Sequence, residues 1–420
     1  MNHKFIVTCT LIACSFSVSA QQDKKTFSIT GNGNNDFIWM NIRQVDLSNG
    51  QIIKTIFDRN TPSFSITNVN TKKTITQDAF VNKDILTDAD YPTNTFVAAA
   101  AYDKRSNRLF FTPMKIGELR WIDLNVKNTV PQFYVLQSDI LKSANPTDEA
   151  NSISRMVIGA DGNGYALSND GNHFYKFTTG RLPVITELGN LIDADKNEGN
   201  SIHNKCSSWG GDMIADAFGK LYVISANHNV FVVDIKSRIA TFKGNVQGLP
   251  GGYTTNAAAV NDQGDIVVSS ATQFQGYYKF NINHLKAIKI DGSDVKYNAS
   301  DFANSNLLLQ KEADAAAMLA TGSGTLPELS VVNDTKVFPN PVTNYTFNVL
   351  LDNRPEGKYT IIVSDLAGRP MTTKVVKNLA KGNQSNATVM LNPSIAKGVY
   401  LVKVIDQNHA VIINEKIIVQ

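Results

Sequence analysis

Cysteine is nearly absent. The 420 residues contain three, at Cys9, Cys14 and Cys206, and two of these lie within the first fourteen positions. A mature chain that starts beyond them keeps one thiol, so no internal disulfide braces it and packed secondary structure must carry its stability. Charge of one sign is also missing. Forty basic and 37 acidic side chains leave a formal net charge of +3, which excludes the broad basic face that nucleic acid requires. Beyond the first twenty residues no apolar run is long enough to cross a bilayer as a helix. Helix-period patterning is scarce too: the one convincing stretch is Glu312-Ala313-Asp314-Ala315-Ala316-Ala317-Met318-Leu319. What remains is a succession of short β-branched and aromatic runs cut by Asn, Asp and Gly, the composition of an all-β protein.

Residues 1–20 read as a signal peptide. Lys4 supplies the positive start, Phe5 to Ala13 an apolar core, and Val18-Ser19-Ala20 the small residues ahead of a peptidase cut. The apolar core is too short for a permanent anchor. Leu11-Ile12-Ala13-Cys14 also fits a lipobox, so lipidation at Cys14 is the alternative to cleavage after Ala20.

A strand-turn-strand phrase recurs through the middle of the chain. One copy runs from Met156 through Ala160-Asp161-Gly162-Asn163-Gly164 to Leu167. A second runs from Met213 through Asp216-Ala217-Phe218-Gly219 to Val223. A third runs from Ala258 through Asn261-Asp262-Gln263-Gly264 to Val268, and a degenerate copy from Ala99 through Asp103 to Phe111. Small apolar residues suit a crowded inner strand. Asp or Asn followed by Gly makes a tight turn, because the side chain caps its own backbone and glycine tolerates positive φ. Two further strands follow each copy. Four antiparallel strands per unit, at a spacing of about 45–58 residues, predict a β-propeller over residues 21–320. The segments 27–30, 38–47 and 51–57 form the outer three strands of a blade whose inner strand is supplied by residues 303–310, so that the two ends of the domain close the ring. The inner strands number five; a sixth blade would need residues 61–91 to form a degenerate one, and a decorated β-sandwich is the other architecture the pattern allows. Residues 321–335 open as Thr321-Gly322-Ser323-Gly324-Thr325, a linker composition.

The loops leading into the inner strands share one face, where propellers commonly bind ligands, and two of them, 60–95 and 192–210, are long. In the second, Asp193, Asp195 and Asn197 place oxygen ligands at alternate positions, as a Ca2+ loop does. The glycine falls one position late for an EF-hand, and Asn204 stands where a bidentate Glu belongs, so a solvated turn-rich loop explains the same residues. Asp84, Asp88 and Asp90 carry the same ambiguity. His203 and Cys206 would make a base–nucleophile pair if they met. Chains of this composition more often hold a lone thiol and a loop histidine, and no catalytic residue is assigned. Asp161, Asp216 and Asn261 are read as turn residues. Two functions are open: a non-enzymatic propeller that binds a protein or glycan, and a calcium-assisted hydrolase or lyase of the lactonase-like kind.

Residues 336–420 differ in character. Pro339-Asn340-Pro341 opens them. A strand follows from Gly357 through Tyr359 to Ser364, turning at Asp365-Leu366-Ala367-Gly368-Arg369. Another begins Gly398-Val399-Tyr400, and the chain ends Lys416-Ile417-Ile418-Val419-Gln420. Period-2 strands separated by Gly and Pro over this length predict a small Ig-like β-sandwich. In order and spacing these motifs resemble the type A C-terminal sorting domain of the type IX (Por) secretion system, with Pro339, Asn340, Pro341, Gly357, Tyr359, Asp365, Gly368, Arg369, Gly398, Tyr400, Lys416 and Val419 at the matching positions. The resemblance covers about a fifth of the chain. It implies export through the periplasm, recognition by an outer-membrane translocon, removal of the domain by a sortase-like protease, and release or attachment at the cell surface.

Overall fold

A computed structural model describes residues 25–33, 35–60, 63–125, 130–142, 147–292, 297–320, 337–351, 356–365, 369–378, 386–407 and 411–420. The expected signal peptide (1–20), with Cys9 and Cys14, the linker (321–335) and Gly368 lie outside these residues. The chain divides into two compact units, Met1–Ala313 and Asp314–Gln420.

The first unit is a ring of five sheets. Blade I joins the inner strand Ala299–Ala303 to Thr26–Thr30, Asn41–Val45 and Ile52–Phe57. Blade II runs outward as Val97–Asp103, Arg108–Pro113, Glu118–Asp123 and Gln132–Gln137. Blade III is Ile153–Ile158, Gly164–Ser168, Phe174–Phe177 and Ile185–Gly189. Blade IV is Asp212–Ala215, Lys220–Ile224, Asn229–Asp234 and Ile239–Asn245. Blade V is Ala257–Val260, Ile266–Ser269, Tyr278–Phe280 and Ile288–Lys289. The inner strands of successive blades touch all the way round, V to I included, so each inner edge is covered by its neighbours.

The turn chemistry expected from the repeat is present. The side-chain oxygen of Asp103, Asp161, Asp216 or Asn261 accepts the amide two residues on, at 2.9–3.1 Å. Gly219 and Gly264 take φ of 83° and 90°. Gly164 serves differently: a Cβ there would meet the Phe177 ring at 1.9 Å, so glycine lets the next strand pack close.

Two expectations need correction. The strand that closes the ring is Ala299–Ala303, not 303–310. It pairs antiparallel with Thr26–Thr30. Leu308 instead bonds to Ala215 and Ala217 beside blade IV and joins the apolar core between blades IV and V. The wall of a narrow channel accommodates Ala, Ser and Asp more readily than three leucines, which gain more by filling the interblade core. The second correction concerns a sixth blade. Ser65–Asn68 pairs parallel with Gln132–Gln137, and Thr74–Thr76 lies beyond it, so this segment widens blade II to six strands. Phe64, Phe80 and Tyr91 hold it there: the Phe64 ring meets Tyr91, Phe57 and Phe133 edge-on, and Phe80 meets Tyr91 in the same way. A widened blade buries these rings without an inner strand of its own. Ile192–Asp193 adds to blade IV in the same parallel manner.

The second unit is a β-sandwich. A three-stranded sheet, Val337–Phe338, Thr346–Leu350 and Asn386–Met390, faces a four-stranded one ordered Pro370–Asn378, Gly357–Ser364, Gly398–Ile405, Val411–Val419. Alternate residues fill the space between them: Phe347, Val349 and Val389 from one side, Tyr359, Ile361, Val363, Val402, Val404 and Ile417 from the other. The helix Gln310–Ala320 covers the predicted helical stretch.

Candidate functional site

All five inner strands start at one face of the ring, called here the upper face, and the loops between second and third strands return to it. Two buried arginines shape this face. Arg120, in the third strand of blade II, donates to the carbonyls of Ala89, Tyr91 and Pro92 and pairs with Glu118, pinning the end of the 61–96 loop. Arg155, on the inner strand of blade III, donates to Ser168, Asn169, Ser208 and Gly210 and so fastens the 192–211 loop. Burial pushes the Arg155 guanidinium down to about 10, against the opposing pull of Asp212 and Asp170, so it stays charged at neutral pH.

That pinned loop contains the expected Ca2+ ligands. Asn197 is 4% exposed; its oxygen accepts the Phe242 amide and its nitrogen donates to the Ala240 carbonyl, tying the loop to the outer strand of blade IV. Asp193 accepts the Ile202 amide at 2.8 Å. Asp195 is exposed on a short 3-10 turn. Among the described residues no group of three or more His, Cys, Asp or Glu side chains gathers as a metal site would require. Asp84 and Asp88 accept the amides of Leu86 and Asp90. The His203 ring lies between the carbonyls of Asp170, at 2.7 Å, and Leu191, at 3.2 Å, while Cys206 is exposed on the Lys205–Ser208 turn. Imidazole committed to two carbonyls is not placed to activate the thiol.

The ring brings together two carboxyls that no sequence spacing relates. Asp212 opens the inner strand of blade IV and Asp301 lies on the inner strand of blade I; both are 0% exposed. Asp212 accepts the amides of Met213, Ala258 and Phe302, so it links blades IV, V and I across the channel. Asp301 faces Asp212 and the Ala100 amide, and neither of its oxygens completes a hydrogen bond. Burial raises both acids far above the usual carboxylate range. Each opposes the other's ionisation, and three amide donors make Asp212 the better seat for a negative charge.

The rim of the upper face is aromatic where blades V, I and II meet. Phe37, 44% exposed, lies 6.4 Å from Phe274, and Trp39 meets Phe96 edge-on at 5.9 Å. Thr95 and Phe96 hold φ of 57° and 67°, strained for a threonine and a phenylalanine. Beside them the Trp39 indole N–H and both amide atoms of Asn94 are buried without a partner. Neither the arginine pins, nor Asp301, nor this rim stood out in the sequence. The only local signal was an arginine set between large apolar residues, as in Leu119-Arg120-Trp121.

In the sandwich the motif residues have structural work. Asn340 accepts the Ile418 amide at 2.9 Å and donates to the Lys416 carbonyl at 2.7 Å. Pro339 and Pro341 flank it in cis peptides. Gly357 and Gly398 begin the two central strands of the larger sheet. Tyr359 is buried in the core, and the Tyr400 hydroxyl donates to the Ala396 carbonyl. Asp365 binds the amide and guanidinium of Arg369 across the turn. Lys416 is exposed and Val419 buried.

Comparison with known proteins gives two kinds of result. Among curated protein sequences none matches. Solved structures with a similar course include PorZ, a surface component of the type IX secretion system of Porphyromonas gingivalis, at 14% identity and a TM-score of 0.32 over 94% of this chain and 51% of that one. This chain thus spans about half the length of PorZ. Virginiamycin B lyase from Staphylococcus aureus aligns at 11% identity and a TM-score of 0.32, over 66% of this chain and 73% of that one. A quinonprotein alcohol dehydrogenase-like protein from Bacteroides thetaiotaomicron aligns at 13% and 0.32, over 67% and 66%. The propeller assignment rests on the strand pairing above. At the C-terminus the result is specific: residues 336–420 match the secretion system C-terminal sorting domain, so this chain carries a type IX sorting domain that follows a five-bladed β-propeller in sequence.

Proposed function

We propose that the propeller is a binding module delivered to the outer cell surface or the medium, and that its ligand, a protein or a glycan, docks on the aromatic rim of the upper face. The observation that carries this reading is the contrast across that face. The paired carboxyls are sealed, whereas Phe37, Trp39, Phe96 and Phe274 line the rim over strained backbone and unpartnered amide and indole groups. Aromatic faces with nearby amides suit sugar rings and extended peptides alike. Export starts with a signal peptide cut after Ala20, lipidation at Cys14 being the alternative; the translocon then reads residues 336–420, and a sortase-like protease removes them.

The test is binding of the purified full chain to glycan and peptide panels. The combined Phe37→Ala and Trp39→Ala variant is expected to lose at least tenfold in affinity for whatever the native chain retains. Undiminished binding would move the site off the rim. A second reading, the calcium-assisted hydrolase or lyase, draws support from the unpaired oxygens of Asp301 and from the acidic loop at Asp193, Asp195 and Asn197. A rise in melting temperature at millimolar Ca2+, abolished by Asp193→Asn or Asp301→Asn, would favour it.

A further inference from the structure

The larger sheet of the sandwich has one face in the core and one outside. Because Tyr359, Ile361, Val363, Val402, Val404 and Ile417 point inward, alternation sends Lys358, Thr360, Ile362, Leu401, Lys403, Lys416 and Ile418 outward. Register adds Thr373, Val375 and Lys377 from the neighbouring strand. Lys358, Lys377, Lys403 and Lys416 are all exposed, and none has an ion-pair partner among the described residues. The four strands hold one acidic residue, Glu415, and it is paired with inward-facing Val402, on the core side. Lys358 stands directly opposite Lys377, a like-charge cross-strand pair that costs the isolated sheet stability. Between the lysines lie Ile362, Leu401, Ile418 and the exposed Val375. Asn340 keeps the last strand in this face by binding the backbone of Lys416 and Ile418.

We infer that this outward face is the surface the export machinery reads, and that it docks against an acidic, partly apolar protein surface of that machinery. Unbalanced positive charge steers the encounter, and the interleaved aliphatic side chains supply area to bury. The signal is then a folded face, with Lys416 one of its members, and not a linear tail. The inference rests on reading residues 336–420 as the export signal.

The experiment follows the full chain in a host with a working type IX system. Lys358→Glu, Lys403→Glu and Lys416→Glu are combined; Lys397→Glu, at an exposed loop position outside the face, is the control, and deletion of 336–420 the reference. The triple variant is expected to reach the surface and medium at least tenfold less, with full-length protein held in the periplasm, while the control stays within twofold of the native chain. If the glutamates prevent the sandwich from folding, as judged by its melting transition, glutamine at the same three positions removes the charge alone and is expected to lose at least threefold. Crossing at the native level by a folded variant overturns the inference. If the deletion also crosses at the native level, it is the sorting-signal reading that fails. A triple variant that crosses but detaches from the surface would assign the lysines to anionic surface lipid instead. A native chain that sediments as a dimer, with a monomeric triple variant, would assign the face to a second copy.

Discussion

Asp212 and Asp301 show how much of this propeller depends on single side chains that meet only in the closed ring. A carboxyl whose folded pKa is raised binds its proton more tightly in the native state than in the unfolded one. Stability is therefore greatest below the unfolded value near 4 and declines as pH rises toward the folded value, about 8 for Asp212. At about 1.4 kcal/mol per pH unit between pH 5 and 8, the native protein should lose on the order of 4 kcal/mol by pH 9, read as a lower melting temperature there than at pH 5. Asp301→Asn removes one of the two acids at almost constant volume and should flatten that decline; parallel curves for native and variant would count against a shared buried proton. Arg155 sits nearby with the opposite logic. Its guanidinium satisfies four carbonyls, so Arg155→Met strands them in a dry setting and should cost about 3–4 kcal/mol, read in a denaturant titration. A cost below about 1 kcal/mol would mean that the loop finds other donors.

At the scale of elements, the sandwich manages its two open sides with different devices. On one side Lys374, paired with core-facing Ile361 and so pointing inward from an edge strand, donates to the Thr388 carbonyl on the edge of the opposite sheet. An inward lysine at an edge discourages pairing with another chain. On the other side the terminal strand is held by Asn340 and by Val342, whose amide donates to the Ile418 carbonyl while its own carbonyl accepts the Gln420 amide. Chain ends fray unless tied down. Asn340→Ala should therefore raise the hydrogen-exchange rate of the Ile418 amide about fivefold, the effect of losing roughly 1 kcal/mol, with the sandwich melting transition little changed. Asn340→Asp, which keeps the acceptor, should fall between. An unchanged rate in the alanine variant would show that pairing with the Gly398–Ile405 strand suffices to hold the end. The pins on the upper face are the same idea carried out by side chains: Arg120 and Arg155 reach from regular strands to fix long loops that have little regular structure of their own.

The whole propeller is stable only as a ring, because blade I is assembled from both ends of the unit. A chain ending after Tyr297 lacks the inner strand Ala299–Ala303 and leaves Thr26–Thr30 with an open edge and Asp212 without the Phe302 amide. It should lose the cooperative melting transition of the unit, whereas a chain ending after Ala320 should keep it; equal transitions would show that four blades and the three outer strands of the fifth suffice. Much of this architecture was legible in the linear chain. The Asp/Asn-to-Gly turns act within four residues, so they repeat visibly, and the strand order within a blade followed from them, while the count stood at five with a sixth left open. The motifs from Pro339 to Gly398 were legible for the same reason, since they mark local turns and strand starts. The misplaced closing strand has a physical origin: Leu307-Leu308-Leu309 is the more apolar segment, but the channel wall selects small residues and the interblade core takes the leucines. By itself, then, the order of residues determined the turns, the repeated strand-turn-strand phrase, the sandwich and the sorting-domain motifs, all of which rest on neighbours in sequence. Only the closed tertiary structure decided which carboxyls share the channel, which arginines pin the loops and which aromatics form a rim, because those encounters join blades that the chain reaches far apart.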